Sequence, residues 1–411
     1  MTRTSQHQPP LLPCEPLRGP SRVSTPRQST PRQSAWWNRR RVAASVNGSW
    51  IGSGTSQVLV CLLAAGCASP PASHPVAIPE LGQTAPPSTG ASPGASLERH
   101  LGVMGTGLHI VIWAPDRSDC LTASEGAVRA LEDTEARLST WLDSSEFSGL
   151  NRAPVGTGQT LSPMTREELK TALGIARATD GLFDPTLGRL VQAWDLRGVG
   201  RMPSDRELQQ ARLDSGFRAI EIKGSQVRRS RGVLLEEGAF GKGAGLDRAR
   251  EVLIGSTVTG ASLNLGGQWL FVGQGEWSLQ VAHPLHRSEA VLHLSIQPGS
   301  LATSANSERQ LELSEGTIGH LLDPRTGMPS KANHSVSVWA KSALLADALS
   351  TALFIDPSRA AEFASKFDVE VVLLEPGEHG LRASITPGLI EHSRALIPGL
   401  EIVSLDIPTV Q

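Results

Sequence analysis

From about Leu97 onward, short apolar runs alternate with Gly and Pro punctuation, and the spacing within each run sorts the chain into strands and helices. Leu108-His-Ile-Val-Ile-Trp113 predicts a strand. Thr122-Ala-Ser-Glu125 has the form of a capping box, with Val128, Leu131 and Leu138 at helical spacing behind it. A second helix is expected over 167–179, ended by Gly181. A third is expected from Asp184-Pro185, with Asp as cap and Pro at the first helical position. Residues 219–223, 227–231 and 233–236 read as a meander of short strands, and 243–254 as a helix. Further strands are expected at 261–265, 269–272, 279–282, 291–296, 336–339 and 369–374, with a helix over 342–354. Strands come in runs and helices do not strictly alternate with them. That pattern predicts an α+β fold of largely antiparallel sheets flanked by helices, rather than a doubly wound one.

The first hundred residues have a different texture. Residues 1–57 are rich in Pro, Ser, Arg and Gln without periodicity, and read as disordered. Val58 to Gly66 is an apolar run too short to span a bilayer but of signal-peptide length. It ends at Ala64-Ala65-Gly66-Cys67, which resembles a bacterial lipobox, where the cysteine thiol takes the lipid. Residues 1–66 are therefore expected to be an export segment. Residues 67–96, again Pro, Ser, Gly and Ala, are expected to be a flexible linker, and 97–411 the folded domain. The expected location is the bacterial cell membrane, lipid-anchored through Cys67 on the periplasmic or outer face.

Composition narrows the function. Hydrophobic residues make up 39% of the 411, enough for a core in the folded part. A net charge of -2 argues against a nucleic-acid binder that relies on phosphate neutralisation. Tyrosine is absent, so no phenol serves in catalysis. Of the four cysteines, Cys14, Cys61 and Cys67 precede the folded part, and no Cys-x-x-Cys pair exists. Cys120 is expected to be a small surface or half-buried residue.

Several segments carry candidate chemistry. In Ala343 to Phe354, Asp347 and Thr351 stand four apart among Ala and Leu, on one helix face. A carboxylate there is costly unless paired or bound to a cation, and Mg2+ takes such oxygen ligands. The alternative is an Asp bonded to a neighbouring loop, with Thr351 bonded back to its own helix. Gly238-Ala-Phe-Gly-Lys-Gly243 leads into a helix and offers Lys242 beside flexible backbone that an anion can approach. It is not a Walker loop, because no Ser or Thr follows the lysine. Asn264-Leu-Gly-Gly267 is either a ligand-contacting turn or a plain strand connection. Asp184 combines an acid with a helix start. His320-Leu-Leu-Asp-Pro-Arg-Thr-Gly327 groups His, Asp and Arg on a turn. Ala302 to Glu308 reads as a polar loop.

In their order, these segments resemble the ApbE family of FAD:protein FMN transferases, from about Val103 to Pro357. The matching blocks are Met104-Gly-Thr106, Ser139-Thr-Trp141 through Ser145-Glu146 to Asn151, and Phe183-Asp-Pro-Thr186. Gly238 to Gly243, Asn264 to Gly267, Ala302-Thr-Ser304, His320 to Gly327 and Ala346 to Ala352 follow. The chain departs from the family at Trp141, where Tyr is common, and at Glu236, where Asp is usual. The 303–306 loop also lacks the usual Gly-Asp-Tyr ending.

The resemblance implies the ApbE fold and Mg2+-dependent transfer of FMN from FAD to a Thr or Ser hydroxyl of an acceptor protein, with release of AMP. It implies that Asp347, Thr351 and the Ala239 carbonyl hold Mg2+. Met104, Trp141, Leu182, Phe183, Asp184, Glu236, Lys242 and Leu321 would line the FAD site, with His320 and Asp323 near the diphosphate or the acceptor. Asp347, His320 and Lys242 are the expected catalytic groups, and the acceptor is expected to be a subunit of an electron-transport complex or a similar flavoprotein. The alternatives are a Mg2+-dependent FAD pyrophosphatase and a flavin-binding lipoprotein without catalysis.

Overall fold

The computed structural model describes residues 94–308, 310–313, 316–378 and 380–407. The expected export segment, Cys67 and nearly all of the expected linker lie outside the described residues. Among the described residues no helix is long and apolar enough to cross a membrane.

Nine strands form the main sheet, and they lie side by side in chain order. They are β1 (Ala95–Val103), β2 (Thr106–Ala114), β3 (Gly260–Leu265), β4 (Gln268–Gly273), β5 (Gly299–Ala305), β6 (Ser335–Ala340), β7 (Glu370–Gly377), β8 (Gly380–Ile385) and β9 (Glu401–Ser404). Neighbours are antiparallel except β8 and β9, which are parallel. The largely antiparallel α+β reading is what the molecule shows. Two-residue alternation gives the sheet two buried faces. Leu108, Ile110 and Ile112 of β2, with Leu263 and Leu270, pack under α1 (Arg117–Leu138) and α6 (Gly241–Ile254). Further along the same side, Ala302, Val336, Val338 and Val371 pack under α7 (Ala343–Ile355) and α3 (Pro163–Ala178). On the opposite face Trp113, Trp269, Phe271, Leu301 and Val372 pack against Trp277, Leu279 and Leu294 of a three-stranded sheet.

Several boundaries differ from the sequence expectation for local reasons. α1 begins at Arg117, five residues before Thr122, because Asp116 Oδ1 accepts from Asp119 N at 2.9 Å. The expected capping-box positions lie inside it, and Ser124 and Glu125 there take the Arg99 guanidinium at 2.9 and 2.7 Å. The helix expected from Pro185 is the six-residue α4 (Gly188–Ala193). Asp184 instead folds back on the backbone N–H of Thr186 at 2.8 Å. Residues 233–236 form no ladder beyond an isolated bridge between Leu187 and Leu234. The expected polar loop 302–308 is strand β5 up to Ala305, then one 3-10 turn, Asn306–Glu308. Cys120 is fully buried, its thiol facing the carbonyls of Ala95 and Ile112 at 3.6 and 3.7 Å. It is a core residue, not a surface one. Helices α2 (Glu146–Arg152), α5 (Asp205–Leu213) and α8 (Ala360–Phe367), and strands β1, β8 and β9, were not expected. Ser96, Glu98 and His100 of β1 occupy its exposed face and Arg99 interrupts the inner one, which leaves only a weak apolar signal.

Candidate active site

The start of α6 and the first half of α7 meet at closest approach. A Cβ on Gly243 would stand 2.3 Å from the Ala343 carbonyl oxygen and 2.6 Å from Leu344 Cα, so only glycine lets the two backbones touch. α7 is fixed there by Asp247, whose carboxylate accepts from Ala343 N at 2.7 Å, Leu344 N at 3.0 Å and Ser342 Oγ at 2.7 Å. The crossing presents Asp347 to α6. Its Oδ2 accepts from Gly243 N at 3.0 Å, and Lys242 Nζ lies 3.4 Å from Oδ1. Asp347 is buried and Lys242 half-buried. The first turn of α6 leaves backbone N–H groups unpaired within the helix, and the α7 carboxylate takes one of them.

Thr351 Oγ1 donates to the Asp347 carbonyl oxygen at 3.2 Å. That bond uses the hydroxyl proton and leaves its lone pairs as acceptors. A buried carboxylate and a hydroxyl one turn on are hard oxygen donors of the kind Mg2+ takes, and the Ala239 backbone carbonyl is a third of the same type. The residues present therefore fit such an ion. Ala239, half-buried before α6, packs against the large core cluster.

A second group of the expected residues is gathered by Arg197. Its guanidinium donates to Glu236 and to the Thr140 hydroxyl, reaches the Thr140 carbonyl at 3.0 Å, and lies 4.0 Å from Glu237. It also stacks over the Trp141 ring at 4.6 Å, though that indole is 57% exposed. Thr140 donates its own proton to Glu237. Two carboxylates thus share one guanidinium. Burial, and then the neighbouring Glu237 charge, push the Glu236 carboxyl up to about 7, against the pull of Arg197. The extra methylene of Glu236 is held in place by an arginine.

Leu182 and Phe183 are buried in the main core, where Phe183 meets Phe240 edge-on at 6.1 Å. Asp184 follows them and accepts from Thr186 and from Phe217 N at 3.0 Å; burial pushes its carboxyl up. It lines a cavity of about 510 Å³ with Phe217, Arg218, Arg231, Pro324 and Arg325. Among the described residues, none of Lys242, Asp347, Trp141 or Glu236 lines that cavity. The strand-like segment 233–236 joins the two regions, since Glu236 N donates to Pro185 O at 2.9 Å. Leu321 packs on the main core, and His320 is half-buried on the turn after Gly316–Gly319. Asp323 is held by Arg325 at 3.0 Å, and Arg325 also reaches Asp356 at 3.0 Å. Met104 takes a left-handed conformation at φ 52, in the two-residue turn between β1 and β2. Its N–H donates to Glu135 at 3.1 Å, and its sulfur would lie 2.9 Å from a Cβ on Gly245. A non-glycine residue in that region carries backbone strain, which clusters at ligand sites.

Other motif residues prove architectural. Asn264 Oδ1 accepts from Gly267 N at 2.9 Å, closing the β3–β4 turn in which Gly266 and Gly267 both have positive φ. Ser145 caps α2, and Asn151 clamps the Leu235 backbone at both N–H and carbonyl, at 2.8 and 3.0 Å. Sequence reasoning missed Arg197, Glu237, Thr140 and Asp247. An acid early in a helix is a weak hint for Asp247, but an arginine in a connecting segment carries no local signal.

The family model described as the ApbE family matches residues 104–373, which contain all of these groups. The FAD:protein FMN transferase of Vibrio cholerae is 26% identical over 292 residues, 68% of this chain and 87% of that protein. The enzyme of the same name from Rhodobacter capsulatus is 33% identical over 221 residues, 51% of this chain and 42% of that protein. The crystal structure of the ApbE protein of Thermotoga maritima superimposes with a TM-score of 0.64 at 26% identity, covering 68% of this chain and 94% of that one. The apo flavinyl transferase ApbE of Pseudomonas stutzeri shares the fold, with a TM-score of 0.62 at 22% identity over 71% and 95% of the two chains.

Proposed function

The chain belongs to the ApbE family, and from that premise we propose that it transfers FMN from FAD to a Thr or Ser hydroxyl of another protein. The observation that carries the reading is the meeting of Lys242, Gly243 and Asp347 at the α6–α7 crossing, inside the family match. Asp347, Thr351 and the Ala239 carbonyl are the residues that would hold Mg2+. When bound, that ion supplies charge neutralisation on the diphosphate oxygens.

The chain's own groups do the rest. Lys242 adds positive charge beside the diphosphate. Trp141 offers a stacking face, with Arg197 behind it. In the transfer step, the acceptor oxygen forms a bond to the FMN phosphorus while the anhydride P–O bond breaks and AMP leaves. The hydroxyl proton goes to Asp347, with His320 as the second candidate base. We further place the enzyme outside the cell membrane, tethered through Cys67. That reading is supported by the apolar run and the small residues before the cysteine.

The test is co-expression with a candidate acceptor carrying an exposed Thr or Ser loop, followed by mass spectrometry. A covalent FMN adduct and stoichiometric AMP are expected. Rapid AMP release without acceptor and without adduct would replace transfer by hydrolysis, and FAD retention with no AMP would leave only binding.

A further inference from the structure

Leu97, Leu101, Leu108, Ile110 and Ile112 turn one face of β1 and β2 into the core under α1. The alternate positions Glu98, His100 and His109 therefore share the opposite face. The register sets His100 directly across from His109, and their rings stack with centroids 4.4 Å apart and planes 7° apart. Glu98 Oε1 lies 2.8 Å from His109 Nε2 and 3.6 Å from His100 Nε2. One ligand atom from each of the three residues falls within 4.8 Å of the others.

We propose that Glu98, His100 and His109 bind a borderline divalent transition ion of the Zn2+ or Ni2+ class, and that the ion staples β1 to β2. Two imidazoles and one carboxylate are the donor set such ions prefer, whereas Mg2+ takes oxygen alone. Ligand bonds of about 2.0–2.1 Å at tetrahedral angles put ligand atoms about 3.3 Å apart. The two separations from Glu98, 2.8 and 3.6 Å, bracket that value. Glu98 and His100 are exposed, so their rotamers are free to close on the ion without disturbing the core. Without an ion, two facing imidazoles on an exposed face gain little beyond the Glu98–His109 hydrogen bond. β1 ends the main sheet and follows directly on residues 1–93, so a staple there secures an edge strand paired on one side only.

The proposal does not depend on flavin transfer, and its test is separate. The full-length protein, in excess Mg2+ to fill hard-ion sites, is dialysed to equilibrium against ZnCl2. Wild type is expected to hold one more equivalent than His100→Ala. Glu98→Gln, which keeps the side-chain length but removes the anionic ligand oxygen, is expected to bind that equivalent more weakly than wild type. Amide exchange along β1 is expected to slow with zinc in wild type and to stay unchanged in His100→Ala. Equal stoichiometry in wild type and His100→Ala overturns the site. Zinc uptake that leaves β1 exchange unaltered overturns the staple and marks an adventitious surface ion only.

Discussion

Two parts of the candidate site are held by different forces. At the α6–α7 crossing, backbone lies against backbone: Gly243 has no room for a Cβ, Asp247 pins the start of α7, and Asp347 reaches Gly243 N. Around Trp141, side chains hold side chains: Arg197 divides itself between Glu236, Glu237, Thr140 and an exposed indole. The first arrangement is steric and tolerates little displacement. The second is electrostatic and shared, so it responds to pH and to substitution in graded steps. On the proposed reading, the chemistry falls at the steric crossing and the cofactor rim is the adjustable part.

The sharpest way to break this contrast is Asp347→Ala. It should lower flavin transfer by about 1000-fold or more, a loss of roughly 4 kcal/mol of transition-state stabilisation, and weaken Mg2+ binding. Adduct formation by mass spectrometry and a metal titration measure both, and normal transfer would refute the assignment. Gly243→Ala comes next. A methyl group 2.3 Å from a carbonyl oxygen must push the helices apart, so unfolding in denaturant should show a loss of about 3 kcal/mol. A loss below about 0.5 kcal/mol, the range of ordinary surface changes, would mean the crossing is not steric.

At the rim the effects are smaller and depend on conditions. Burial raises the Glu236 carboxyl from its ordinary 4.5 to about 7. A carboxyl that holds its proton more tightly when folded costs stability once ionised. The cost is full above pH 7 and disappears as pH falls towards 4.5. Glu236→Gln should therefore stabilise the protein by about 1–3 kcal/mol at pH 8 and by almost nothing at pH 4.5. A pH-independent difference between the two melting curves would show that the carboxyl is not strained. Smallest is Arg197→Lys, which keeps the charge but loses the fork and the flat stacking face. The KM for FAD is expected to rise about two- to fivefold with kcat little changed; a fall in kcat alone would move Arg197 from positioning to chemistry.

Legibility in the sequence followed the same division. Gly243, Gly266 and Gly267 were visible because close approach or positive φ admits few other residues. Asp347 stood out because a carboxylate among Ala and Leu needs an explanation. Strands β2, β3, β4, β6 and β7 were visible through their apolar runs, whereas β5, at the sheet centre, read as a polar loop because its Ser and Thr residues are packed inside the fold rather than exposed. Edge strand β1 was missed because Ser96, Glu98, His100 and Gly102 fill its exposed face and Arg99 interrupts the apolar residues of the other. The start of α4 was misplaced because Asp184 spends its carboxylate on Thr186 and Phe217, forming a turn where a cap was expected. Arg197 was invisible, since nothing in a connecting segment says which distant carboxylate an arginine will reach.

The sequence by itself determined the α+β class, the order of the motifs and the small set of oxygen-bearing residues proposed as hard-cation ligands. These are properties of local spacing, backbone freedom and side-chain type. Tertiary structure alone decided that Lys242 and Asp347, 105 residues apart, would meet, and that Arg197 would join Trp141 to Glu236. Such pairings depend on how α6 and α7 cross above the sheet. Packing sets that crossing, and no local pattern encodes it.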